Sequence, residues 1–119
     1  MANHNDLGKQ GETIAVEYLQ KSGYEILEQN FVFQKAEIDI IARKGDWLIV
    51  VEVKTRSSID FGNPEAFVTK KKINLLVKAI DEYVNRSGLD LEIRFDIISI
   101  VKTENKFNTE HLEDAFYHF

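Results

Sequence analysis

Three acids and a lysine interrupt two runs that are otherwise apolar, Glu37-Ile38-Asp39-Ile40-Ile41-Ala42 and Val50-Val51-Glu52-Val53-Lys54. Both runs read as neighbouring strands, and an unpaired carboxylate is costly to desolvate in such a setting. Residues of these types at these places imply a partner that neutralises them, and a divalent cation is the natural one. Two carboxylates, from Asp39 and Glu52, together with the carbonyl of Val53 make an all-oxygen set suited to Mg²⁺ or Mn²⁺, which keeps several waters and binds phosphate oxygen. Such an ion stabilises charge developing on phosphorus and acidifies a bound water. Lys54 stands two residues beyond Glu52, so the two share one strand face. Its ammonium would position or activate the attacking water, or hold a phosphate oxygen. An isolated Glu-x-Lys is more often a solvated surface pair. The apolar residues around Asp39 and the four that precede Glu52 argue against that reading here.

The elements that must position this set can be read along the chain. Asp6 is placed to cap a first helix running to about Ser22, with Leu7, Gly11, Ile14, Ala15 and Tyr18 on one face and Gly23 at its C-terminal cap. Strands follow from Tyr24 to about Phe33 and from Ala36 to Arg43. Lys44-Gly45-Asp46 is a turn, and the third strand runs from Trp47 to about Thr55. Its Leu48-Ile49-Val50-Val51 core is apolar on both faces, which marks a central strand. A second helix starts at Thr69 as N-cap, with Asn63-Pro64 as a competing start. Ile73, Leu76, Val77, Ile80, Tyr83 and Val84 repeat at helical spacing up to Gly88. Leu91 to Val101 is a fourth strand, and Leu112 to Phe119 is expected to dock on the core. The order αβββαβ predicts an α/β fold, a mixed central sheet flanked by helices. If the turn at residues 44–46 pairs its two strands, Asp39 and Glu52 converge.

Further charged residues carry two readings each. Glu37 shares a strand face with Asp39, either supporting the site or standing as an edge-strand acid. Glu12 borders the apolar stripe of the first helix beside Gly8 and Gly11. There it either reaches the metal or is an ordinary acid near a helix start. Lys70-Lys71-Lys72 opens the second helix, as phosphate contacts or as a solvated charged end. Arg56, Arg94 and Lys9 could extend a basic rim, although each is better explained structurally. The histidines His4, His111 and His118 show no metal-ligand spacing and read as surface residues.

Composition bounds the rest. The 119 residues make one domain by size, 1–119. A net charge of −5 argues against a sequence-blind nucleic-acid coat, but not against an enzyme with a local basic rim. With no cysteine there is no disulfide or thiolate metal site, which fits a cytoplasmic protein. No run is long and apolar enough for a membrane span, and the polar segment Met1 to Leu7 lacks a signal-peptide core.

Taken in order, six pieces of this sequence resemble the YraN-like family, which is related to Holliday-junction resolvases and other PD-(D/E)XK nucleases. They are Gly8 to Leu19, Glu37 to Ala42, Val51 to Arg56, Val68-Thr69 with Lys72, Arg94-Phe95-Asp96, and Asp114-Ala115-Phe116. The resemblance implies a PD-(D/E)XK nuclease-like core with Asp39, Glu52 and Lys54 at its active positions, and Glu12 as the helix acid that often joins the metal site. The complete set Glu12, Asp39, Glu52 and Lys54 points to a divalent-metal-dependent endonuclease hydrolysing or binding DNA, branched or single-stranded, with Arg56, Lys70, Lys71 and Lys72 toward the nucleic acid. Resolving a two-fold junction would call for a homodimer. The alternatives are a catalytically silent nucleic-acid-binding or scaffold module of the same fold, and an adaptor using the aromatic tail Phe116, Tyr117 and Phe119. One departure stands out: Lys35-Ala36 replaces the glycine pair common in that family before Glu37.

Overall fold

A computed structural model describes residues 4–57 and 68–116. The competing helix start at Asn63-Pro64 and the tail residues Tyr117 to Phe119 lie outside this range. The elements are α1 (His4–Lys21), β1 (Glu25–Phe33), β2 (Ala36–Lys44), β3 (Trp47–Arg56), α2 (Lys70–Ser87), β4 (Glu92–Thr103) and β5 (Lys106–Leu112). They form an α/β fold with one sheet of order β1-β2-β3-β4-β5. The β3–β4 pair is parallel and the other three are antiparallel. The parallel pair follows from the chain path, since α2 carries the chain from the end of β3 back to the start of β4. Among the described residues, no helix is long and apolar enough to cross a membrane.

The helices cover opposite faces. Ala15 and Leu19 of α1 pack with Ile40, Ala42, Ile49, Val51, Ile98 and Ile100. Leu76, Ala79 and Ile80 of α2 pack with Ile38, Ile41, Leu48, Val50, Phe95 and Ile97. Leu48, Ile49, Val50 and Val51 alternate between these two layers, which is why all four must be apolar. Phe116 is buried with its ring centroid 5.2 Å from that of Phe95, so the start of the aromatic tail belongs to the core.

Local signals set the helix ends. Gly23, at φ 90°, closes α1 in a Schellman motif, with Tyr24 N–H donating to Leu19 O and Gly23 N–H to Gln20 O. Thr69 caps α2 by accepting from Lys72 N–H at 3.1 Å, and Gly88 ends it in the left-handed region. Asp6 is not the cap of α1. The helix begins at His4 and Asp6 lies in its first turn, where an acid suits the dipole equally well.

A strand absent from the sequence reading is β5. It hangs on the edge of the sheet, with most of its residues exposed, and so lacks the apolar alternation that marks a half-buried strand. Gln34, just ahead of Lys35-Ala36, turns the β1–β2 hairpin at φ 56°.

α1 crosses β3 closely at Gly11, where an added Cβ would collide with the Oγ1 and Cβ of Thr55. Thr55 is β-branched and cannot swing clear. Gly11→Ala is therefore expected to cost about 1–3 kcal/mol by overpacking, despite alanine's better helix propensity. Urea unfolding of the two proteins checks this, and a stabilised variant would mean that α1 shifts without strain.

Candidate active site

The site forms where β2 and β3 part. Their ladder ends at Ile40–Val51. Alternation in β2 also breaks there, since Ile38 packs under α2 and Ile40 under α1. Asp39 sits at the break, and its Oδ2 accepts the Val53 N–H at 2.8 Å, a ladder position taken by a side chain. Asp39 and Glu37 line one groove of about 360 Å³ together with Glu52, Lys35, Lys71 and Lys72. Asp39 also lines a second hollow on the α1 side with Glu12, Val53 and Lys54. The split sheet thus lets α1 and α2 both address the same carboxylate.

Glu52 follows Val51 to the next position of β3, facing α2 with Val50 and Leu48. Its side chain is only 8% exposed, and Oε2 lies 2.7 Å from Lys72 Nζ. The other oxygen, Oε1, is buried with no hydrogen-bond partner among the described residues. Burial, then the charge of Asp39, pushes the Glu52 carboxyl up to about 7, against the pull of Lys72. Asp39 is raised from its ordinary value, first by burial, although the Val53 N–H and Lys72 oppose the shift. Glu12 is raised by burial, then by Asp39 and Glu37. Acids from α1, β2 and β3 therefore share one field, each disfavouring the others' charge. Lys54 lines the hollow with Asp39, Glu52, Val53 and Lys72, and also the one beside Glu12.

The cations of the sequence reading separate. Lys72 is paired with Glu52 inside the site rather than presented on a rim. Lys71 lines the groove and Lys70 is exposed at the start of α2. Arg56 leans on β4, with Nη2 3.4 Å from Ser99 Oγ. Lys35, which the sequence reading passed over, joins Lys71 at the groove, and its only signal was adjacency to the acidic strand.

A second polar cluster lies across the sheet. Asp96 is fully buried. Its carboxylate accepts from Arg94 Nε at 2.9 Å and Nη2 at 2.8 Å, from His111 Nε2 at 2.7 Å and from Asp114 N–H at 3.0 Å. The reading of His111 as a surface residue is corrected: its side chain is 7% exposed. With Nε2–H on Asp96, its Nδ1 accepts the Tyr18 hydroxyl at 3.1 Å. The signal available was Asp96 itself, an acid between Phe95 and Ile97 that must find partners. Both Asp96 oxygens are hydrogen-bonded, and the cluster ties β5 and Asp114 to β4.

Comparison with known sequences places these residues in one lineage. The profile of "Uncharacterised protein family UPF0102" matches residues 11–100, a span containing Glu12, Asp39, Glu52, Lys54 and Lys72. The chain belongs to the UPF0102 family. It is 66% identical to UPF0102 protein FP2501 of Flavobacterium psychrophilum over 119 residues, the whole of both chains. It is 56% identical to a UPF0102 protein of Christiangramia forsetii, again over 100% of each. A UPF0102 protein of Bacteroides thetaiotaomicron is 44% identical over 98% of this chain and 97% of its own.

For this UPF0102 protein the donor set can be tested against a metal. Among the described residues no group of three histidine, aspartate or glutamate side chains is placed to hold one ion. Asp39 and Glu52 are the pair at the break, and water would complete an octahedral shell around a hard cation. Glu52 Oε1 has no hydrogen-bond partner among the described residues, and both carboxyls are raised, first by burial. The two carboxylates are oxygen donors, the type that Mg²⁺ or Mn²⁺ takes.

Proposed function

We propose that this protein is a divalent-metal-dependent phosphodiesterase of the PD-(D/E)XK type acting on DNA, branched or single-stranded. The observation that carries the proposal is the sharing of one hollow by Asp39 and a buried Glu52 whose Oε1 has no partner among the described residues, at the break between β2 and β3. Asp39 and Glu52 would hold Mg²⁺, with the carbonyl of Val53 and Glu12 as further oxygen sources. The bound ion supplies a Lewis acid and a water of lowered pKa. Lys54, lining the same hollow, orients the attacking water and offsets charge on the phosphate. Lys35 and Lys71 at the groove would take flanking phosphates, which sequence-independent contacts do in any nucleic-acid enzyme. Asp39 is held by the Val53 N–H, so the ligand is oriented before any ion arrives.

The test is labelled junction, flap, single-stranded and duplex DNA incubated with the protein in Mg²⁺ or Mn²⁺, beside Asp39→Asn and Lys54→Ala. Cleavage of at least one substrate is expected, with losses of about 10²-fold or more in each variant. No cleavage across the panel, or cleavage indifferent to both substitutions, would overturn the proposal. The second reading, a silent binding module, is favoured by the Lys72 ammonium already seated on Glu52. It requires DNA retardation that persists in EDTA and no metal-dependent scission.

A further inference from the structure

We propose that Lys72 is an internal counter-ion of the acid pair. A divalent cation must displace it from Glu52, and the released ammonium passes to a phosphate oxygen of the nucleic acid. The inference rests on the reading of this site as a metal-binding one.

The two halves of the pair are held very differently. Glu52 is fixed in β3 with a side chain 8% exposed, whereas that of Lys72 is 46% exposed. One partner is anchored and the other can leave. The ammonium bonds Oε2, and the buried Oε1 has no hydrogen-bond partner among the described residues. A hard cation in the split between β2 and β3 would draw on Glu52 and Asp39 together. An ammonium at hydrogen-bond distance from the same carboxylate opposes that cation, because like charges repel in a partly dry site, and the repulsion favours release of the exposed lysine.

Lys72 also has somewhere to go. It lines the hollow shared with Asp39, Glu52 and Lys54, and equally the larger groove shared with Lys35 and Lys71. That groove also holds Glu37, Asp39 and Glu52, so the move is a short one within it, from Glu52 to the side where Lys35 and Lys71 stand. Its location in the first turn of α2 argues in the same direction. A cation there is disfavoured by the helix dipole and by the neighbouring Lys70 and Lys71. Pairing with Glu52 offsets that repulsion at rest, and a phosphate would offset it during turnover. Metal and nucleic acid should then assist one another, since each draws the same ion pair apart.

Mg²⁺ titration followed on the Val53 amide resonance tests this, because Asp39 holds that N–H. At pH 8.5 Lys72→Met should bind Mg²⁺ about fivefold more tightly than the unaltered protein, and Lys72→Arg should match the unaltered protein. Equal or weaker binding by Lys72→Met overturns the inference, as does a Val53 resonance that no variant moves with Mg²⁺. Thermal melts confirm that the variants are folded. Strand cleavage measured in parallel separates this inference from the nuclease reading. Tighter Mg²⁺ binding by Lys72→Met with no cleavage by the unaltered protein would uphold Lys72 as counter-ion and overturn the nuclease.

Discussion

Glu52→Gln should make the protein more stable at pH 8 by about 1–3 kcal/mol while removing its capacity to hold a divalent cation. The carboxyl is pushed up to about 7 by burial first and by Asp39 second, although Lys72 pulls it back. A folded value above the ordinary 4.5 means that the folded state binds the proton more tightly than the unfolded state. Stability from this group is therefore greatest at low pH and falls as pH rises from about 4.5 through about 7. Above that window the buried charge is a standing cost, and the neutral amide removes it. The partner left behind is not trapped, since the side chain of Lys72 is 46% exposed and can hydrate. Thermal melts should show a Tm gain of roughly 5–10 °C at pH 8, narrowing to a small fraction of that at pH 5. A variant less stable at pH 8 would show that the Lys72 ion pair outweighs the burial of Glu52. In the expected case the ionised acid is a cost to the fold.

Asp96→Ala should do the opposite and destabilise the protein by about 3–5 kcal/mol, the usual result of removing one partner from a buried charged network. Arg94 would keep its guanidinium beside Tyr24 without a carboxylate beneath it, left with the exposed Glu113 as its anion among the described residues. His111 would lose its partner on β4, and Asp114 N–H its acceptor. The strap formed by β5 and the 113–116 turn would then hold to the sheet mainly by backbone pairing and by Phe116. Burial alone would raise the Asp96 carboxyl. The hydrogen bonds from His111, Arg94 and Asp114 outweigh it and hold the group below its ordinary 3.8. A depressed folded value contributes stability that is complete above 3.8 and is lost as pH falls through the folded value. Urea unfolding at pH 7 checks the magnitude. Acid titration checks the sign, since the variant should lack the part of the acid transition that lies below 3.8. A loss under about 1 kcal/mol at pH 7 would mean that packing, not this network, fastens β5.

Much of this arrangement is legible in the residues themselves. Helix ends follow from side chains within a few positions of one another, as at Gly23, Thr69 and Gly88. The central place of β3 follows from four consecutive apolar residues. Asp39 and Glu52 declare themselves as charges in apolar strands, and Asp96 does so by the same argument. Less legible are features whose cause is distant. An edge strand such as β5 is stabilised by pairing with β4 rather than by its own pattern, so its exposed sequence carries little signal. His111 is buried by what surrounds it, through Asp96 on the neighbouring strand and Tyr18 on α1.

The sequence by itself determined the types of the elements other than β5, the apolar layers and the identity of the acids, because those depend on periodicity, capping and desolvation within short spans of chain. Only the tertiary structure decided how the charges are paired. The break between β2 and β3, the burial of Glu52 Oε1, and the choice of Lys72 rather than Lys70 or Lys71 as the ammonium on Glu52 each depend on where separate elements cross. Charge–charge energies vary with distance and local dielectric, and neither quantity is defined until the chain has folded.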